Sequence, residues 1–122
     1  MTDTETCEVI VTGPTGDLLP AIGRAAVDAR LAASVNVFNA HVESTYWWQG
    51  RIQSTTETRL HLLTRTDLVN DLVAFVRARH PYEVPNVTAM PIIGGNADFI
   101  RWVKDETTNV QTGQPRPSDG TR

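Results

Sequence analysis

Two β-favouring runs, residues 33–48 and 52–64, meet at Gln49-Gly50-Arg51 and constrain the fold of this 122-residue chain more than any other feature. Strands joined by so short a Gly-containing turn pair as an antiparallel hairpin. In the second run Thr56, Thr58, Leu60 and Leu62 alternate with Glu57, Arg59, His61 and Leu63, the period of a strand with two unlike faces. The first run is interrupted at Asn39-Ala40-His41, which predicts a bulge. A hairpin of this length exceeds what a small sheet can cover and predicts a protruding arm. The adjacent aromatics Tyr46, Trp47 and Trp48 lie near its tip and would be wet in isolation, so the arm also predicts oligomerisation.

The remaining punctuation is regular. Residues 8–12 form a β-branched run closed by Gly13-Pro14, a first strand. Asp17 is placed to cap a helix with Leu18, Ile22, Ala25, Ala26 and Ala29 at three- and four-residue spacing, and Pro20 falls in its first turn, where a missing N–H is harmless. Asp67 is placed to cap a second helix with Leu68, Val69, Leu72, Val73, Phe75 and Val76 on one face, stopped by His80-Pro81. Residues 87–93 read as a last strand, in which Pro91 requires an edge or a strand end. Gly94-Gly95-Asn96 then turns into a third helix with Phe99, Trp102 and Val103 inward. The order βαββαβα predicts an α+β, ferredoxin-like sandwich with both main helices on one face of an antiparallel sheet. One domain is expected over residues 1–108. Residues 109–122, with two Pro, two Gly and no periodicity, read as a disordered tail.

Composition narrows the function. A chain of 13.5 kDa buries roughly two thirds of its unfolded surface, enough for a core without metal or disulfide staples. Eleven basic against fourteen acidic residues, a net charge of −3 and a pI near 5.5 provide no field to recruit nucleic acid or acidic lipid. Lys104 is the only Lys, which confines Schiff-base or P-loop chemistry to that residue, and no G-x-S-x-G is present. Cys7 is alone, so no intramolecular disulfide forms, and a reducing compartment fits best. The acidic N-terminus and the lack of any long apolar run point to a cytoplasmic chain with no membrane contact.

The three His, His41, His61 and His80, are about twenty residues apart, and none has a partner at compact metal-ligand spacing. His61 alternates with Leu60 and Leu62 and reads as an ordinary half-buried residue, whereas His41, at the bulge, is a candidate surface ligand. His80-Pro81-Tyr82-Glu83-Val84-Pro85 holds an imidazole, a phenol and a carboxylate on a Pro-rigidified loop and is the best site candidate. Its alternative reading is architectural, with the two Pro stiffening the connection, Tyr82 packing and Glu83 capping. Under the site reading the helix end and Glu83 both favour a protonated His80 ring. Gly94-Gly95-Asn96 lacks the phosphate-loop spacing and reads as a turn.

Taken together, Arg30-Leu31-Ala32-Ala33-x-Val35-Asn36, Ser44-x-Tyr46-x-Trp48-x-Gly50, the HPYEVP run, and Gly94-Gly95-Asn96 followed by Trp102 resemble the CutA family of divalent-cation tolerance proteins. The resemblance covers residues 8–107. It implies a ferredoxin-like homotrimer, similar to PII signalling proteins, whose long hairpins pack on neighbouring subunits. It further implies tolerance to copper and other divalent cations and no established enzymatic reaction. Carried onto this sequence, the family's shared positions suggest ligand binding by Tyr46, Trp48, Glu57, Tyr82 and Trp102. With His41 they suggest a metal set of His80, Glu83 and His41 for a divalent ion, copper or zinc, and no organic cofactor. The expected partners are two further copies of the chain, with a metal ion or small polar ligand at the subunit interfaces. The chain departs from the family where Ser34 replaces a common Cys, a poor exchange for soft Cu(I), and where Leu63 and Phe99 replace a common Lys and Tyr. Two other classes stay open: a PII-like sensor or interaction module without metal, and an enzyme using the HPYE loop.

Overall fold

The computed structural model describes residues 4–108. The chain runs β1 (Thr6–Pro14), α1 (Leu18–Asp28), β2 (Ser34–Trp48), β3 (Arg51–Arg65), a 3-10 turn (Thr66–Leu68), α2 (Val69–Arg77), β4 (Asn86–Pro91) and α3 (Ala97–Thr108). The four strands form one antiparallel sheet in the order β2-β3-β1-β4, so the first strand in sequence is central. Its run Val9-Ile10-Val11 suits that place, because a central strand is covered on both faces. Val9 and Val11 join Leu60 and Leu62 of β3, Leu19, Ile22 and Ala26 of α1, and Leu72 and Val76 of α2 in one core. Ile10 alternates to the other face and is nonetheless buried, as are Ile100 and Val103 of α3, the helix that lies against β1 and β3. Phe99 and Trp102, expected inward, are only half-buried.

The hairpin is as long as its pattern predicts. Trp48 pairs with Arg51, so Gln49 and Gly50 make a two-residue turn, and both have positive φ, 51° and 76°. That is the turn whose twist matches its strands, and glycine adopts it without strain. The bulge falls where expected: the register with β3 shifts between Phe38 and Val42, Ala40 has a φ of 60°, and the Thr58 hydroxyl donates to Asn39 Oδ1 at 2.7 Å. Beyond it Val42 to Trp48 pair only with β3, as an arm.

Several boundaries differ from expectation. β1 continues through Gly13 and Pro14, opposite Thr58 and Glu57, where β4, which begins at Asn86 opposite Thr12, does not reach, so this stretch has one neighbour only. Neither Asp caps as predicted: Asp17 makes no side-chain cap bond, and Asp67 sits in the 3-10 turn with its carboxylate taken by Arg65, Nε to Oδ1 2.9 Å. α2 therefore starts at Val69 and ends at Arg77, while the amides of Arg79 and His80 still donate to the Val76 carbonyl. The expected tail, residues 109–122, lies outside the described residues. Among the described residues no helix is long and apolar enough to cross a membrane.

Candidate functional site

The loop after α2 is fastened to β1 through His80. The residue is 8% exposed, with Nε2 2.8 Å from the Thr12 carbonyl and Nδ1 accepting the Tyr82 amide N–H at 3.1 Å. Because Nδ1 accepts, the proton lies on Nε2 and points at Thr12, and the ring is neutral in this arrangement. Gly13 makes room for it: a Cβ there would stand 2.8 Å from Nε2 and 2.6 Å from Leu19 Cδ1. The protonated ring favoured by Glu83 is thus replaced by a neutral one fixed through the backbone. With both nitrogens committed, His80 positions the loop and has no lone pair to give a metal.

What His80 positions is Tyr82. The phenol packs edge-on against the imidazole, centroids 4.8 Å apart, and donates to Glu57 Oε2 at 2.8 Å. Glu57, on β3, is only 5% exposed. Burial, then the hydrogen bond to the Glu57 carboxylate and its charge, with a smaller contribution from Tyr46, push the Tyr82 phenol up to about 12. It is therefore a hydrogen-bond donor throughout the neutral range.

Residues directly opposed in a β pair share a face. Val42 opposes Glu57, Ser44 opposes Thr55, Tyr46 opposes Gln53 and Trp48 opposes Arg51, so Glu57, Tyr46 and Trp48 form one strip along the arm, with Tyr82 laid against its inner end. Four of the five ligand-binding residues expected from the sequence are thereby brought to one face. The fifth, Trp102, is not. It stacks with Phe99 at 5.4 Å on α3, a helix tied by Lys104–Glu5 (3.0 Å) to the start of β1 and by Arg30–Glu106 (3.1 Å) to the end of α1, whereas Glu57 lies opposite the end of β1.

The expected metal set is not assembled within one chain. His41 is exposed at the bulge and Glu83 is exposed on the loop, and among the described residues no three His, Cys, Asp or Glu side chains converge on a metal position. The described donors of a single chain do not fit a resident ion. His61 is half-buried as predicted, held by Arg59 Nε to Nε2 at 3.0 Å, with Glu8 3.6 Å from Nδ1 and Phe38 at 4.8 Å between centroids. Sequence reasoning missed the Thr12 carbonyl, which has no side-chain signature, and read Gly13 only as punctuation.

Relatives share this frame. The family described as CutA1 divalent ion tolerance protein matches residues 7–106. "Protein CutA" of Homo sapiens is 40% identical over 100 residues, 82% of this chain, and the "Divalent-cation tolerance protein CutA" of Thermus thermophilus is 36% identical over 99 residues, 81% of this chain and 95% of that protein. The chain spans 55% of the length of its rice, Arabidopsis and human relatives. Among solved structures, CutA1 from Oryza sativa superimposes with a TM-score of 0.81 at 36% identity, covering 88% of this chain and 97% of that one. The periplasmic divalent cation tolerance protein CutA from Archaeoglobus fulgidus gives 0.80 at 28% identity, over 84% and 98%. With the family matched from Cys7 to Glu106 and the α+β frame shared with these structures, the chain belongs to the CutA1 divalent ion tolerance protein family.

Proposed function

We propose that this protein works as a cytoplasmic, non-enzymatic divalent-cation tolerance protein of CutA type, a PII-like homotrimer of ferredoxin-like subunits that takes divalent ions from its surroundings at the junctions between copies. The observation that carries the reading is the long arm, with the exposed donor His41 at its bulge and the ligand-binding strip of Glu57, Tyr46 and Trp48, met by Tyr82, along one face, in a chain whose relatives are named for cation tolerance. The strand order β2-β3-β1-β4 supports the ferredoxin-like description. Trp47 and Ile52, opposed on the arm's other face, are 70% and 62% exposed, and a closed ring of copies would cover them. Since the described residues of one chain assemble no metal set, an ion is held by exposed donors such as His41 and Glu83 completed from a neighbour. With a hydroxyl at Ser34, imidazole and carboxylate select borderline Cu(II) or Zn(II) over Cu(I).

Light scattering should give about three times 13.5 kDa. Calorimetry with Cu(II) and Zn(II) should show weaker binding in His41→Ala and Glu83→Gln than in wild type. Undiminished binding in both variants removes these residues as ligands, and a monodisperse monomer removes the shared site altogether. A PII-like sensor without metal is the second reading, favoured by a buried carboxylate–phenol pair beside aromatic rings, a corner better suited to an organic ligand than to a bare ion.

A further inference from the structure

Glu57 is nineteen-twentieths buried, yet only half of its carboxylate is engaged. Oε2 accepts from Tyr82, while Oε1 accepts no hydrogen bond and no cation of the chain pairs with it among the described residues. The one sealed side-chain atom without a partner among the described residues is Thr6 Oγ1, so Oε1 of Glu57 opens to the surface. Arg59, two residues along β3, turns its Nε to His61 instead. A carboxylate drawn this far from water with a single neutral donor is under-solvated, and the strongest remedy is a charge-assisted N–H bond to the open oxygen.

We infer that this corner binds an organic cation bearing N–H groups, a protonated amine or a guanidinium, which donates to Glu57 Oε1 and lies against the rings of the arm. A bare divalent ion fits poorly here, because it takes four to eight ligands and the corner offers one carboxylate oxygen beside a committed imidazole. An organic cation needs one anion and a π surface. Tyr82 and Tyr46, each close to two-fifths exposed, and Trp48 further along the same strip provide that surface. The Tyr82 hydroxyl keeps Oε2 occupied at neutral pH, leaving Oε1 as the docking point. The cation has two chemical sources, a free small amine or the Arg or Lys side chain of a neighbouring copy. The inference rests on the strip as the ligand-binding part of the proposed function and is independent of its metal part.

The test uses the full chain, with methylguanidinium and butane-1,4-diamine as calorimetric probes and Zn(II) in the same series. At least one probe should bind wild type, and Glu57→Gln should weaken it by about tenfold or more while leaving Zn(II) affinity unchanged. Should neither free probe bind, the neighbour is the source, and Glu57→Gln should dissociate the assembly by light scattering where wild type stays assembled. If Glu57→Gln fails to fold, Glu57→Asp, which withdraws the charge by one methylene, must show the same weakening. Absence of probe binding together with unchanged assembly overturns the inference, and so does a loss of Zn(II) affinity in Glu57→Gln with amine binding intact. Failure of the metal reading shows separately, as absent Zn(II) binding in wild type.

Discussion

Tyr82 sits between a buried carboxylate and a neutral imidazole, and both its fixed position and its acidity follow from them. Its phenol titrates near 12 in the folded chain against 10.0 ordinarily, because burial and Glu57 both oppose the phenolate. Between those values the unfolded chain has released a proton that the folded chain retains. The contribution to stability is therefore complete below about pH 10 and is lost as pH rises through about 12. Tyr82→Phe should flatten this alkaline limb in denaturation midpoints measured against pH, and an unchanged limb would show that Glu57 does not restrain the proton. The side chains of the HPYE loop were legible in the sequence, but their partners were not. Glu57 is 25 residues from Tyr82, and Thr12 contributes a backbone oxygen that no residue type announces. Hence the loop is legible as a candidate site, while the tautomer of His80 and the separation of Trp102 from the strip within one chain are not.

Among the elements, α1 shows how packing overrides intrinsic preference. Gly23 lies mid-helix, where Ala would ordinarily be better by about 1 kcal/mol. Here a Cβ would stand 2.8 Å from Val35 Cγ2 and 3.3 Å from Leu60 Cδ1, and the β-branched Val35 has few rotamers in which to retreat. Gly23→Ala should thus lower stability by about 1–2 kcal/mol, read from the urea midpoint. An unchanged or higher midpoint would mean that α1 lifts from β2 without cost. Alternation in β3 and three- to four-residue spacing in α1 and α2 made the element order legible, since periodicity reports which face is buried. The caps were not legible, because Asp67 had a choice of partners and the nearby Arg65 guanidinium outbid the helix amides.

At the scale of the whole molecule, the arm is surface in search of cover. Trp47 and Ile52 face each other across it and lie outside the core. Replacing both by Ser should reduce the mass seen by light scattering while leaving the far-ultraviolet circular dichroism unchanged. An unaltered mass would place the contact between copies elsewhere. The central position of β1 has a consequence in time. Cys7 pairs with Thr64 on one side and Pro91 on the other, so β1 gains one neighbour from the middle of the domain and the second only near its end. Such distant pairings raise the contact order and make refolding slower than that of a helical bundle of the same size. On the ribosome, Val9, Ile10 and Val11 stay apolar and unpaired until β3 has emerged, and one edge of the strand stays bare until β4 follows, an interval in which the nascent chain is open to misassociation.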